Sequence, residues 1–176
     1  VVGTLMSNYG LELAIAALGI PFIRSKVGDR YVLEALGEND WKLGGEASGH
    51  ILCLDKTTTG DGIVAALQVL AIMVKQDISL QQLAKEVVLL PQSLVNIKTE
   101  QAAILSANTK VIKAVQVLQD SLKGKGRVVL RPSGTEPLLR VMVEGLDEIT
   151  VKQQAQHLCD EISRIDLEIK KAKTSA

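Results

Sequence analysis

Neither sign of charge is in excess in this chain of 176 residues, because 20 Lys and Arg balance 20 Asp and Glu. No net electrostatic field therefore attracts the polyanion of a nucleic acid or the surface of an anionic membrane, and we expect neither as a partner. Any anion that the protein binds must be held by a local arrangement of donors and charges.

Cysteine and long apolar runs are also scarce. Cys53 and Cys159 are far apart in sequence, which argues against a disulfide framework, and neither lies in a set of four Cys and His residues of the kind that holds zinc. The longest apolar run, residues 62–74, is interrupted by Gln68 and is shorter than the roughly 20 residues that cross a bilayer. This run predicts a buried helix, and a reduced, cytoplasmic location is the expectation.

The amino terminus lacks an initiator Met, a basic segment and a signal-peptide cleavage pattern. Because the sequence opens inside an apparent strand, we expect it to be part of a longer protein. Hydrophobic residues make up 47% of the chain, which is enough to bury one full core or two small ones.

Residues 1–92 alternate short apolar strands with segments of helical periodicity. This alternation predicts an α/β fold with a mixed, mostly parallel sheet and helices on both faces. The predicted strands are residues 1–6, 22–24, 41–45 and 51–54. The predicted helices are one that carries Leu11, Ile15 and Leu18, one that Asp29 caps, the 62–74 helix after the polar cap 57–61, and one over 79–88 with a Ser79–Gln82 capping box.

Residues 93–176 predict a small α+β domain with an antiparallel sheet and two helices. Its strands are expected near 95–98, 127–131 and 138–144, with a helix over about 102–122. After a capping box at Thr150 and Gln153, apolar residues recur every three or four positions, which predicts a helix with one stripe packed on the sheet. The stripe consists of Val151, Ala155, Leu158, Ile162, Ile165 and Ile169.

The sharpest motif is Arg-Pro-Ser-Gly-Thr-Glu-Pro, which begins at Arg131 between two apolar strands. The arginine offers a planar fork of donors, Ser133 and Thr135 add hydroxyls, and Gly134 lets the backbone approach an anion closely. Arg140 lies on the next strand, on the face opposite its apolar neighbours, from which it can reach the same anion. These groups fit a phosphate cradle; a hairpin loop with surface arginines is the alternative interpretation.

A second motif, Gly-Glu-Ala-Ser-Gly-His, places Glu46, Ser48 and His50 on one tight turn. A carboxylate acceptor beside a hydroxyl suits neighbouring hydroxyls of a sugar ring, and the carboxylate also suits an ammonium group. The alternative is a polar turn whose side chains satisfy the local backbone. No metal site is predicted, because the single carboxylate of Gly60-Asp61-Gly62 is too few for Mg²⁺ and is interpreted as a helix cap.

The motif that begins at Arg131 is similar to the phosphate-binding loop in the last domain of the α-D-phosphohexomutase superfamily. The turn at Glu46 resembles the sugar-binding loop of the third domain of that superfamily, and the two motifs occur in the family's order. The resemblance implies that residues 1–92 are the third domain without its first part and that residues 93–176 are the fourth.

The resemblance also implies a role for each motif residue. The phosphate that is not being transferred is held by Arg131, Ser133, Gly134 and Thr135, with Arg140 within reach. Glu46 and Ser48 contact the sugar hydroxyls, and His50 exchanges protons with them. Lys26 faces the active-site cleft as a second acid-base or charge-stabilising group, with a solvated loop lysine as the alternative.

Further segments resemble the phosphoglucosamine mutases more than the phosphomannomutases or phosphoglucomutases of that superfamily. They are Thr4-Leu5-Met6-Ser7-Asn8, Lys26-Val27-Gly28-Asp29-Arg30-Tyr31-Val32 and Thr58-Thr59-Gly60-Asp61-Gly62. This resemblance implies interconversion of glucosamine 6-phosphate and glucosamine 1-phosphate through a phosphoserine and glucosamine 1,6-bisphosphate, with Mg²⁺ as the metal.

Neither the serine loop nor the acidic Mg²⁺ loop of the superfamily occurs in this sequence. We therefore expect the chain to be inactive by itself and to work with the N-terminal domains of a complete protein, with a homodimer as an open alternative for the assembly. The alternatives for function are a phosphomannomutase or phosphoglucomutase fragment and a non-catalytic module that binds sugar phosphates.

Overall fold

The structure is a computed structural model that describes residues 1–174. Its contacts divide the chain into two compact units, of which unit 1 is Val1–Leu89 and unit 2 begins at Leu90. The domain boundary between residues 92 and 93 stays a prediction.

Unit 1 is built on a four-stranded sheet in the order β2-β1-β3-β4. β1 runs parallel to both β2 and β3, whereas β3 and β4 are antiparallel, so the predicted mixed, mostly parallel sheet is confirmed. In chain order the elements are β1 (Val2–Thr4), α1 (Tyr9–Ala17), β2 (Ile23–Ser25), α2 (Asp29–Glu38), β3 (Leu43–Gly45), β4 (Ile51–Cys53), α3 (Gly62–Gln76) and α4 (Leu80–Ala84).

The core of unit 1 forms where α2 packs on the middle of the sheet. It contains Val2, Val32, Leu36 and Leu52, which are almost fully buried. A glycine on β3 allows this close packing, because a Cβ at Gly44 would lie 2.6 Å from Cγ1 of Val32. A few apolar side chains thus hold the middle of the sheet, and the carboxyl ends of its parallel strands are available for loops.

Two of the predicted helix caps in unit 1 are confirmed, and one is wrong. The Asp61 carboxylate accepts hydrogen bonds from the first-turn amides of α3, and Ser79 forms the expected capping box with Gln82. α2 is capped by Gly28 and not by Asp29, whose carboxylate accepts from the adjacent amide of Arg30. The cap position has a φ of 127°, a left-handed conformation that favours glycine over aspartate.

The helix over residues 62–74 forms, but the prediction that it is buried is wrong. α3 has no buried residue, and Ile63 and Val74 are 74% and 83% exposed. A helix that is apolar on all sides needs partners on several sides, whereas α3 packs mainly on β4 and α4. The apolar run therefore predicted the helix correctly but did not predict its exposure to solvent.

Unit 2 is a three-stranded antiparallel sheet in the order β5-β7-β6, as predicted. The apolar stripe of α7 packs on it, where Leu139, Val141 and Val143 of β7 are buried. In chain order the elements are β5 (Gln92–Lys98), α5 (Ala102–Ser106), α6 (Thr109–Ser121), β6 (Arg127–Pro132), β7 (Leu138–Glu144) and α7 (Glu148–Thr174).

Two helix boundaries in unit 2 differ from the sequence prediction. The single helix expected over 102–122 is two helices, because the Asn108 side chain accepts from the amide of Lys110 and starts α6 there. The capping box expected at Thr150 and Gln153 is also wrong. α7 begins at Glu148, and the Asp147 carboxylate accepts from the Thr150 amide at 2.7 Å.

Candidate functional site

In unit 1 the three parallel strands end at the same edge of the sheet. Residues 5–8 follow β1, residues 26–28 follow β2, and residues 46–50 follow β3. Ligands of open parallel sheets bind in the crevice at the carboxyl ends of the strands, where the connecting loops meet. Lys26, Glu46, Ser48 and His50 therefore lie at the edge where a ligand is expected.

The Glu46 carboxylate is held in place by a neighbouring loop. Its Oε2 accepts a hydrogen bond of 3.1 Å from the backbone amide of Gly28, and the side chain is 10% exposed. The turn itself is closed by hydrogen bonds from the Glu46 amide to the His50 carbonyl and from the Gly49 amide to the Glu46 carbonyl, both 3.0 Å. Burial with an amide donor fixes one carboxylate oxygen and leaves acceptor capacity on the other.

His50 connects the carboxylate with the hydroxyl of the same turn. Its Nδ1 lies 2.8 Å from Oγ of Ser48 and 3.3 Å from Oε1 of Glu46, while the ring is 57% exposed. A protonated Nδ1 donates to Oε1 of Glu46 or to Oγ of Ser48, whereas an unprotonated Nδ1 accepts from the Ser48 hydroxyl. The structure thus brings together the three residues predicted for the sugar, in an arrangement that can exchange a proton with a hydroxyl.

Lys26 is exposed at the same edge, and its ammonium group lies over an aromatic ring. Its Nζ lies 5.5 Å from the ring centroid of Tyr31, and the Arg30 guanidinium lies 5.7 Å from the same centroid. Sequence reasoning singled out Lys26 but not its cation–π partner. The signal was available, because Tyr31 is one of only two tyrosines in the chain.

Arg24 is a second residue that sequence reasoning missed. It donates to the carbonyls of Thr4 and Ser7 at 2.8 and 2.7 Å, and it forms an ion pair of 2.7 Å with Glu12. The loop after β1 is therefore held by a guanidinium from the adjacent strand. The sequence signal that could have identified Arg24 is the position of a charged residue inside a short apolar strand.

In unit 2, Arg131 and Arg140 are direct cross-strand partners on β6 and β7. The Nε atom of each is buried, and neither has a hydrogen-bond partner within residues 1–174. Burial lowers the pKa of the Arg131 guanidinium, and the positive charge of Arg140 lowers it further. Two facing cations with free donors form a site that an anion would complete.

The loop between these strands is closed by its own hydrogen bonds. The Ser133 amide donates to the Leu138 carbonyl at 2.8 Å, and the Glu136 amide donates to Oγ of Ser133 at 3.3 Å. Arg140 Nη2 donates to the Glu136 carboxylate at 3.0 Å and to Oγ of Ser133 at 3.4 Å. The structure thus joins Arg140, Ser133 and Glu136, of which only the first two were predicted.

Gly134 and Thr135 lie at the exposed tip of the same loop. A Cβ at Gly134 would meet no atom within 4 Å, so no local contact requires glycine there. Thr135 borders a cavity of about 910 Å³ together with Lys98 and Lys170. The loop tip is therefore open to a ligand on that side.

Residues 1–89 match the family model described as phosphoglucomutase/phosphomannomutase, alpha/beta/alpha domain III, and residues 94–161 match the one described as phosphoglucomutase/phosphomannomutase, C-terminal domain. This chain belongs to the phosphoglucomutase/phosphomannomutase family. The turn at Glu46 lies in the first matched range, and the motif that begins at Arg131 lies in the second.

Curated members of this phosphohexomutase family are closely similar to the chain. A phosphoglucosamine mutase of Legionella pneumophila (strain Corby) is 72% identical over 166 residues, which are 94% of this chain and 36% of that protein. A phosphoglucosamine mutase of Nitrosococcus oceani is 57% identical over 163 residues, 93% of this chain and 36% of that protein. The chain thus spans little more than a third of the length of these relatives.

Solved structures of other phosphohexomutases share the fold. The Aspergillus fumigatus N-acetylphosphoglucosamine mutase in complex with GlcNAc-6P and magnesium has a TM-score of 0.77 at 19% identity, covering 90% of this chain and 40% of its own. A phosphoglucomutase/phosphomannomutase family protein of Burkholderia thailandensis has a TM-score of 0.73 at 16% identity, covering 94% and 37%.

Residues 1–174 contain neither a membrane-spanning helix nor a cluster of metal ligands. None of the helices there combines the length and the hydrophobicity of a membrane span. In the same residues, no group of three or more His, Cys, Asp and Glu side chains is arranged to hold a metal ion. Residues 1–174 therefore supply no such ligand group for the Mg²⁺ that the family resemblance implies.

Proposed function

We propose that this chain is the part of a phosphoglucosamine mutase that grips the sugar phosphate, in an enzyme that interconverts glucosamine 6-phosphate and glucosamine 1-phosphate. The observation that carries the proposal is the facing pair of Arg131 and Arg140 beside the Ser133 hydroxyl. The identity of 72% to a phosphoglucosamine mutase supports the amino sugar over other hexoses.

The phosphate of the substrate would be seated in unit 2. Its oxygens accept from the guanidinium forks of Arg131 and Arg140, and the hydroxyls of Ser133 and Thr135 complete the seat together with the amide of Gly134. A dianion also removes the repulsion between the two guanidinium groups, so binding gains from both attraction and relief of strain. Lysines at these positions would supply point charges without the bidentate geometry.

The sugar ring would be gripped by the turn in unit 1. The Glu46 oxygen that is not bonded to Gly28 accepts from a ring hydroxyl or pairs with the ammonium group of glucosamine. Ser48 offers a donor and an acceptor to a second hydroxyl, and His50 moves a proton between these groups. Lys26 adds a positive charge at the same edge of the sheet.

The transfer itself would take place on residues outside this chain. The complete enzyme would supply a phosphoserine and Mg²⁺, and the phosphoserine would donate its phosphoryl group to the sugar phosphate to form glucosamine 1,6-bisphosphate. The residues of this chain contribute positioning and charge, which are the largest parts of phosphoryl-transfer catalysis. We further propose a cytoplasmic location and dependence on the remaining two thirds of the relatives' sequence, with a homodimer as one alternative for the assembly.

The Arg131→Ala substitution tests the phosphate seat. Titration of the 176-residue chain with glucosamine 6-phosphate, followed by NMR, should show most of the binding lost, because no other group replaces the bidentate fork. Arg30→Ala is the matched control, since Arg30 is an exposed arginine of unit 1 with a side chain 77% accessible. Unchanged ligand-induced shifts in Arg131→Ala would refute the seat.

Substrate choice is tested in the complete enzyme. Turnover of glucosamine 6-phosphate should exceed turnover of glucose 6-phosphate, because Glu46 can pair with an ammonium group only in the amino sugar. Faster use of glucose 6-phosphate would reject the amino-sugar assignment in favour of a phosphoglucomutase.

A further inference from the structure

We propose that Glu136 is an internal competitor for the phosphate seat, whose carboxylate occupies Arg140 until a phosphate displaces it. This inference rests on the proposed function, because it concerns the same two arginines. It assigns a role to a loop residue that is neither a phosphate donor nor part of the sugar-binding turn.

The contacts of the loop show a seat that is partly occupied by the protein itself. Arg140 Nη2 lies 3.0 Å from the Glu136 carboxylate, whereas the Nε atoms of both Arg131 and Arg140 are buried without a hydrogen-bond partner among residues 1–174. The Ser133 hydroxyl accepts from both the Glu136 amide and Arg140. Arg140 Nη2 and the Ser133 hydroxyl are therefore engaged within the loop, while the Nε donors of both arginines are left for an anion.

The charges favour exchange over joint occupancy. Arg131 and Arg140 carry two positive charges, and one carboxylate neutralises only one of them. A phosphate on the same guanidinium groups would place a second anion beside Glu136, and like charges at that distance repel. Since the Glu136 side chain is 55% exposed, it can leave Arg140 for solvent at little cost.

Glu136 could instead act as a brace that orients Arg140 for the ligand. The two roles predict opposite effects of the isosteric substitution Glu136→Gln. A competitor that loses its charge lets phosphate bind more tightly, whereas a brace that loses its charge weakens binding. The sign of the change in Kd therefore separates them.

The test titrates the 176-residue chain with inorganic phosphate at pH 7.5 and constant ionic strength, following the arginine Nε–H signals by NMR. Glu136→Gln should lower the Kd about 3- to 10-fold, the size expected for releasing one exposed ion pair and one repelling charge. Glu100→Gln is the matched control, because it removes one carboxylate from the rim of the same cavity. Its Kd should change by less than about 2-fold, as expected for a screened surface charge.

Several outcomes overturn the competitor role. One is an unchanged or higher phosphate Kd in Glu136→Gln. Another is an equal gain in phosphate affinity in Glu100→Gln, which would mean that net charge alone sets the affinity. The unmodified chain could bind phosphate, and Arg131→Ala could abolish that binding, while Glu136→Gln shows no gain in affinity. This result would reject the inference and leave the proposed function intact. If neither the unmodified chain nor either Gln variant binds phosphate, this inference and the proposed function are both rejected.

Discussion

Arg131 and Arg140 stand directly opposite each other on neighbouring antiparallel strands, and Glu136 is in contact with only the second of them. Like charges at opposed positions of a sheet destabilise it. A pair of this kind is retained where an anion is bound, so binding and stability should conflict at this point of the molecule.

The first prediction concerns this conflict. Arg131→Met removes one of two opposed cations and keeps an unbranched apolar stem, so the free energy of unfolding should stay the same or rise by up to about 1 kcal/mol. Phosphate binding should be lost in the same variant. Urea unfolding and phosphate titration measure the two effects, and a destabilisation of more than about 1 kcal/mol would show that Arg131 supports the fold.

The second prediction concerns the ion pair of Arg127 and Glu144, at the other end of the same two strands. Glu144 is fully buried and also accepts from Gln92 Nε2 at 3.0 Å. Glu144→Gln leaves a buried guanidinium without its counter-charge and should cost about 3 kcal/mol of unfolding free energy. Phosphate affinity should not change, because the seat lies about 14 Å along the strand, at roughly 3.4 Å per residue.

A double variant is the control for that pair. Replacing Arg127 with Met together with Glu144 with Leu removes both charges at similar volume and should recover at least half of the loss in urea unfolding. A double variant as unstable as Glu144→Gln would mean that packing, and not the unpaired charge, causes the loss.

The third prediction links α7 to the phosphate loop. The buried Asp166 carboxylate accepts from Oγ1 of Thr99 at 3.1 Å and pairs with Lys170, and the Thr99 amide donates to the Pro137 carbonyl at 2.9 Å. Asp166→Ala removes the carboxylate partner of a buried hydroxyl, so it should cost about 1–3 kcal/mol and raise the phosphate Kd a few-fold.

Glu168→Ala is the matched control on the same helix. Its carboxylate is 63% exposed and pairs with Lys110 at 2.9 Å, so its removal should leave the unfolding midpoint and the phosphate Kd nearly unchanged. Equal effects of the two substitutions in urea unfolding and phosphate titration would contradict a specific role for Asp166.

The fourth prediction is a pH dependence of stability. Burial raises the pKa of the Cys159 thiol from its ordinary value of 9.0 to about 11, and the neighbouring Asp160 adds to the shift. Because the folded state favours the protonated thiol, its contribution is complete below the unfolded pKa and is lost as the pH rises from about 9 to about 11.

Comparison with Cys159→Ala isolates this titration from the lysines and tyrosines. The difference in unfolding free energy between the unmodified chain and the variant should be constant up to about pH 9 and should decrease at higher pH. A difference that stays flat to pH 11 in urea unfolding would show that the thiol is free to ionise in the folded state.

Local patterns in the sequence predicted much of the fold. The apolar stripe of α7 and the caps at Asp61 and Ser79 were read correctly, because each depends on residues a few positions apart. The burial of α3 was not, since an apolar run records a preference for burial without recording which partners surround it. The break before α6 was missed because the polar segment around Asn108 was included in one helical pattern, whereas Asn108 caps a new helix.

The sequence by itself determined the two motifs, and with them the residue types that suit a sugar and a phosphate. Only the tertiary structure decided that the Gly28 amide holds Glu46 and that strand register places Arg131 against Arg140. The chemistry of a side chain is fixed by its own residue. Its charge environment is set by long-range pairing, and the free energy of that pairing is spread over residues far apart in the chain.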